Sequence, residues 1–157
     1  MILYHYTARE YLSSIMEVGL CRGEVALSPT ELLNAVWLTD DKSPLGHGLT
    51  DGRDLSEQEK VILGKPIHVP VRFPNKRAIR ITVKINSGNR NLVHWPHWGR
   101  RKLTSEWYDA LNKAGGGKAR TWFLYWGTIL SDWFVEVLDI EASTKVLVEK
   151  RPLTGAL

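Results

Sequence analysis

Cysteine is almost absent. Cys21 is the only one in 157 residues, so no intramolecular disulfide and no Cys-based zinc site can form, and a reducing compartment is expected. An uninterrupted apolar run of about 18 residues, the length a membrane-spanning helix needs, is also missing. The N-terminus, Met1 to Thr7, goes straight into a strand-like pattern, without the charged and then apolar segments of a secretory leader. No membrane partner and a cytoplasmic location follow as expectations. There are no internal repeats, no low-complexity tracts and no linker that would divide the chain, so 1–157 reads as a single domain. With 43% apolar and 24% charged residues, that domain is expected to pack a core without help from metal or disulfide.

Charge and aromatics are what the sequence does have. A formal charge of +4 and a pI near 9.3 point toward a polyanionic or phosphate-bearing partner, though only weakly. Seven tryptophans are present, and Trp95, Trp98, Trp107, Trp122 and Trp126 fall within one stretch of the C-terminal half. Either the core is aromatic-rich there, or a surface stacks on something flat.

Periodicity predicts a strand over Ile2 to Thr7 and a helix over Ala8 to Val18, with Tyr11, Leu12, Ile15 and Met16 at helical spacing and Gly19 as the stop. A second strand is expected over Ala35 to Thr39. Leu45 to Glu59 reads as a long mobile loop with a short helical turn after Ser56. Ile67 to Arg72 and Ala78 to Ile85 alternate as antiparallel strands do, the second with Ile79, Ile81, Val83 and Ile85 on its apolar face. A helix over Thr104 to Lys113, capped by Thr104 or Ser105, ends at Gly115-Gly116-Gly117. Thr121 to Ile129, Trp133 to Ile140 and Lys145 to Val148 read as three further strands. Strands outnumber helices and are not separated by regular helices, so the class is α+β.

Leu3-Tyr4-His5-Tyr6-Thr7 carries the strongest functional signal. On a strand His5 shares a face with Leu3 and Thr7, while Tyr4 and Tyr6 point the other way. Taken alone, such a histidine is more often a hydrogen-bonded core residue than a ligand contact. In context, the strand LYHYT, a short helix, GL, and then VWLTDD about thirty residues on together resemble the opening of ADP-ribosyltransferase-like domains, a group that includes the DarT-type nucleic-acid modifiers and the RNA 2′-phosphotransferases. The resemblance covers roughly the first forty residues well and the remainder loosely. It implies a mainly antiparallel, split β-sheet with a few short helices, and NAD as the substrate that is cleaved. It further implies that His5 hydrogen-bonds the nicotinamide-side ribose, that Tyr6 and Thr7 line the start of the cleft, and that Trp37 and Thr39 lie beneath the nicotinamide. The bland alternative for the last two is a core tryptophan and a strand-end threonine.

Transfer of ADP-ribose requires stabilisation of an oxocarbenium-like centre and activation of a nucleophile, work that carboxylates do in glycoside hydrolysis. Families of this kind commonly place a glutamate on a late strand. Glu136 is the candidate, because it interrupts the apolar run Trp133 to Leu138, on a face shared by alternation with Phe134 and Leu138. A second alignment stays open. Ala110-Leu111, Ala114-Gly115-Gly116 and Trp122-Phe123 resemble the segment before the last strands of some small relatives. In that register the catalytic strand is Thr121 to Ile129, which offers Tyr125 and Trp126 but no acid.

Other constellations have ordinary readings. His94-Trp95-Pro96-His97 places two histidines three apart, but Pro96 argues against a helix and no third ligand is in view, so no metal site is expected. Gly115-Gly116-Gly117-Lys118 follows a helix instead of joining a strand to one, and lacks the context of a phosphate loop. Asp40, Asp41 and Asp51 make an unspecific acidic turn. Arg100, Arg101 and Lys102, interleaved with Trp95 and Trp98, form the best nucleic-acid or partner-binding candidate, since cations neutralise phosphates while indoles stack on bases.

Three functions follow. The first is an NAD-dependent transferase acting on a protein or nucleic-acid acceptor, with His5 and Glu136 catalytic. The second is a non-catalytic protein of the same fold that binds a nucleotide or a partner, as small phage counter-defence inhibitors do. The third is a phosphotransferase-type RNA enzyme drawing on Arg9, Arg72 and Arg80.

Overall fold

The computed structural model describes residues 1–146. Thirteen regular elements follow in chain order: β1 (Ile2–Thr7), α1 (Arg9–Val18), β2 (Glu24–Ser28), β3 (Glu31–Asn34), β4 (Val36–Thr39), α2 (Glu57–Ile62), β5 (Ile79–Lys84), β6 (Leu92–His94), α3 (Trp95–Lys102), α4 (Ser105–Ala114), β7 (Trp122–Tyr125), β8 (Phe134–Asp139) and β9 (Thr144–Lys145). Seven strands form one sheet in the order β6-β7-β4-β1-β5-β8-β9, every neighbouring pair antiparallel, and β2 pairs with β3 as a separate hairpin. The class is α+β, built on an antiparallel sheet with few helices.

The motif strand β1 lies at the centre. It runs in register with β5 from Ile2 opposite Lys84 to Thr7 opposite Ile79, whereas toward β4 the one registered pair is Tyr4 with Thr39. The pleat sends alternate side chains to opposite faces. Leu3, His5 and Thr7 therefore share a face with Ile79, Ile81 and Val83 of β5. This face is covered by α1, whose Leu12, Ile15 and Met16 pack on a core that includes Leu3, Ile81 and Val137. Tyr11 of the same helix instead faces solvent. Gly19 ends α1 with φ 87°, and its N–H reaches Ile15 O at 2.8 Å. Each fully buried aliphatic side chain here contributes about 1.5–3 kcal/mol. On the opposite face, over β4 and β7, the hairpin and α3, α4 enclose a second core around Trp95 and Leu124.

Several expectations need correcting. Ile67 to Arg72 is not a strand: apart from a single bridge from Arg72 to Asp54 it stays outside the sheet, and Ile67 and Val69 are exposed. Pro66, Pro70 and Pro74 remove ladder donors at every fourth residue, which a central strand does not tolerate. The buried Lys60 of α2 holds this segment instead, its Nζ donating to Ile67 O (3.3 Å) and Val69 O (2.8 Å). Pro96 does not prevent a helix, because it sits in the first turn of α3, where its missing N–H has no intrahelical partner to lose. The β2–β3 hairpin and β6 were not foreseen. Strand β5 is covered on both faces, with Arg80 and Thr82 buried alongside its apolar residues. The strand expected over Thr121 to Ile129 is shorter, as β7. Thr144–Lys145 forms the last described strand, and the part of the expected strand at 147–148 lies outside the described residues.

The loop after β4 is tied down rather than loose. Its Ser56 and Glu59 form a reciprocal cap at the start of α2, Ser56 Oγ accepting from Glu59 N (3.2 Å) and Glu59 Oε2 from Ser56 N (2.8 Å). At residues 46–48 the loop abuts the glycine turn that follows α4. A Cβ on Gly116 would meet Gly46 O at 2.5 Å, and both glycines hold positive φ, so this approach of two backbones needs glycine.

Candidate functional site

His5 stands where β1 and β4 part. Its Nδ1 lies 2.9 Å from Trp37 O, and because a carbonyl only accepts, Nδ1 carries the proton in the neutral ring. The side chain is half-buried by surface, yet burial dominates its titration and holds its pKa below the ordinary histidine value, outweighing the carbonyl bond that favours the charged form. The imidazole thus completes the narrow join of the sheet, level with Ile81.

Glu136 is on the other side. Thr82 faces Glu136 while Val83 faces Phe134, so Val135 is an extra residue, a β-bulge. The bulge overturns the alternation expected along β8: Phe134 turns into the core and Glu136 projects from the opposite face, together with Thr82 and Tyr4. There its carboxylate takes Arg80 Nη2 at 3.2 Å and Lys145 Nζ at 3.3 Å. The hydrogen bond from Arg80, aided by Lys145, holds its pKa below the usual glutamate value, so it is an anion through the neutral range. Arg80 itself lies over the Tyr4 ring at 5.5 Å, and its Nε is buried without a partner.

The remaining cleft candidates divide in the same way. Thr7 belongs to the face of His5 and is buried. Tyr6, Trp37 and Thr39 belong to the face of Tyr4. The five residues expected to line one nicotinamide cleft therefore do not share a surface. The one carboxylate on β5 and β8 that shares the face of His5 is Asp139, opposite Ile79. By strand spacing and rise it is roughly 12 Å away, and Arg9 grips it through Nε (2.6 Å) and Nη2 (2.8 Å), drawing its pKa down to about 2. The three arginines of the phosphotransferase reading do not converge either, since Arg9, Arg72 and Arg80 pair with Asp139, Asp54 and Glu136 respectively.

What Tyr6 and Thr39 do meet is a node around His47, which the sequence reading missed. The Tyr6 ring stacks near His47 (6.1 Å) and its hydroxyl donates to Asp41 O (3.0 Å). Thr39 Oγ1 donates to Thr121 Oγ1 (2.8 Å) and accepts from Asp41 N (3.0 Å). Trp122 Nε1 donates to His47 Nδ1 at 2.9 Å, which assigns the imidazole proton to Nε2, 3.0 Å from Ser43 O and 3.3 Å from Asp41 Oδ2. Lys118 Nζ closes the node on Asp41. The signal was the Gly46-His47-Gly48 triplet, in which both glycines hold positive φ. Among the described residues no three His, Cys, Asp or Glu side chains converge as a metal site.

The aromatic-basic stretch separates into two roles. Trp95 is fully buried, with rings of Trp37 (5.0 Å), Tyr108 and Trp98 (both 5.9 Å) around it, so it cannot stack on a ligand as expected. Trp98 is half-buried, 5.3 Å from Trp126, and the two line an open groove of about 550 Å³ together with Leu27, Leu33, Asn34 and Lys102. Arg100, Arg101 and Lys102 are all exposed on the last turn of α3. A second cavity, of about 530 Å³, lies near Lys84, Asp132 and Trp133. No helix among the described residues is long and apolar enough to cross a membrane. No protein-family model matches the chain, nor does any curated protein or solved structure.

Proposed function

We propose that this protein binds a partner without chemically changing it, as a non-catalytic version of the ADP-ribosyltransferase-like domains whose opening it resembles. One observation carries this reading. His5 and Glu136, the two residues that transfer would require at one reacting centre, project from opposite faces of the sheet. The carboxylate is occupied by Arg80 and Lys145. Strand β7, which the second alignment would make catalytic, offers Phe123 and Tyr125 on the face of His5 and no acid. A histidine and a glutamate on opposite faces speak against cleavage of NAD between them.

Nicotinamide release from NAD tests the reading. Purified protein, alone and with single-stranded DNA, RNA or protein acceptors, is expected to release nicotinamide no faster than buffer. Glu136→Gln and His5→Ala are expected to leave that baseline where it is. Release by the wild type that either substitution abolishes would establish the transferase and overturn the proposal.

A further inference from the structure

The indole N–H groups divide the seven tryptophans. Four donate inside the protein: Trp37 to Glu24 O, Trp95 to Asn112 Oδ1, Trp107 to Ala26 O and Trp122 to His47 Nδ1, each at 2.9 Å. Those of Trp98, Trp126 and Trp133 find no acceptor among the described residues, and these three are the tryptophans that line the two cavities. Among the described residues the one buried side-chain nitrogen or oxygen without a partner is Arg80 Nε, so the N–H groups of the half-buried Trp98 and Trp126 reach solvent. Indoles that are part of a core normally have this donor satisfied. The groove pair presents both an aromatic face and an open donor.

Charge selects the occupant. On α3, Trp98 and Lys102 are four residues apart and Arg101 is three from Trp98, so both cations border the indole on the helix surface. Trp95 and Gly99 form the buried face, where a Cβ on Gly99 would meet the Tyr108 ring at 2.8 Å. No carboxylate lines the groove, and among the described residues no ion pair neutralises Arg100, Arg101 or Lys102. A hydrophobic peptide would leave both bordering cations, Arg101 and Lys102, without a counter-charge. A polyanion carrying flat apolar rings satisfies both halves of the site.

We infer that the groove between the β2–β3 hairpin and α3 binds single-stranded nucleic acid, unpaired bases stacking on Trp98 and Trp126 while Lys102 and Arg101 meet the phosphates; Arg100 instead lies over the Tyr108 ring at 5.8 Å. Bases in a duplex are already stacked on each other and cannot enter, so the site prefers single strands. This deepens the binding proposal by naming the partner class. It can fail independently, because nicotinamide release does not depend on this groove.

Fluorescence anisotropy of labelled 12-nucleotide oligothymidylate and oligouridylate, with a blunt duplex of equal length as competitor, tests the inference. Both single strands are expected to bind, and the duplex to compete poorly. Two phosphate contacts give a log–log salt slope of about −1.4. Trp98→Ala and Trp126→Ala are each expected to weaken binding roughly 10- to 100-fold, Trp98→Phe to restore most of it, and Lys102→Gln to flatten the slope by about 0.7. Trp98→Phe and Lys102→Gln keep the test valid if an alanine variant fails to fold. Absence of binding at low salt, binding unaffected by both Lys102→Gln and Trp126→Ala, duplex bound as well as single strand, or saturation of the groove by a protein ligand instead would each overturn it.

Discussion

Replacing Trp95 by alanine is expected to destabilise the protein by about 3–5 kcal/mol, the range for deleting a large aromatic side chain from a packed interior. The ring is wholly excluded from water. It sits at the meeting point of α3, α4, β4 and β7, in contact with Trp37, Trp98, Tyr108 and Trp122. Its removal also leaves Asn112 Oδ1 without its donor. A domain of this size has a total stability of only about 5–15 kcal/mol, so much of the population would unfold at moderate temperature. Urea denaturation followed by circular dichroism measures the effect. Trp126→Ala serves as the contrast: its indole is half-buried at the groove, and its loss should cost well under half as much. Equal destabilisation by the two would mean that the groove pair is core, and would remove the distinction drawn between them.

The second large effect concerns acid. His5 and His47 are both held below the ordinary histidine pKa, chiefly by burial, although Asp41 and the Ser43 carbonyl pull His47 the other way and Lys118 adds to the depression. Both rings therefore fold neutral. As pH falls below about 6.5 the unfolded chain takes up these protons first, and stability, fully present above that value, declines toward each folded-state pKa. Each ring contributes at most about 1.4 kcal/mol per pH unit in that interval. Asp41, Glu136 and Asp139 are depressed carboxylates, so their contribution is lost only as pH falls below the usual carboxylate range, near 4. Loss between pH 7.5 and 5.5 is thus a histidine signal. His47→Gln, whose amide can accept from Trp122 and donate to Ser43, is expected to reduce the pH slope while keeping most of the stability. His47→Ala should cost about 2–4 kcal/mol at pH 7.5 by unpairing the Trp122 N–H and opening a void. Urea midpoints across the pH range check both, and an unchanged slope in His47→Gln would show that its ring does not titrate on unfolding.

The sequence made the frame of the sheet legible because its strongest patterns are local. The alternation of Ile79, Ile81 and Val83 and the β-formers of Ile2 to Thr7 gave β5 and β1 directly, and Gly19 and Thr104 marked helix limits through known backbone and capping chemistry. The errors came where one residue outweighs a pattern. Prolines 66, 70 and 74 cancelled a convincing alternation, whereas Pro96, at the one place a helix accepts it, did not break α3. The site was harder to read for a related reason. Which side of a sheet a residue occupies depends on register and bulges, which are set by partners far along the chain. His47 was missed because its partners Tyr6, Trp122 and Lys118 lie at least forty residues away in sequence, and Trp95 and Trp98, only three apart, differ in burial in a way that spacing alone does not reveal.

The additional residue in β8 sets a rule about length rather than chemistry. At 61% exposure Val135 touches little, and most substitutions there should pass unnoticed. Pairing the position is a different matter: drawn into a strict two-residue repeat, it would bring Phe134 and Glu136 to one face, and either swing the anion in beside Ile81 or push Phe134 out into water. Deleting it would make those two residues chain neighbours opposite Val83 and Thr82, each on its present side, so the strand can lose this residue but cannot absorb it.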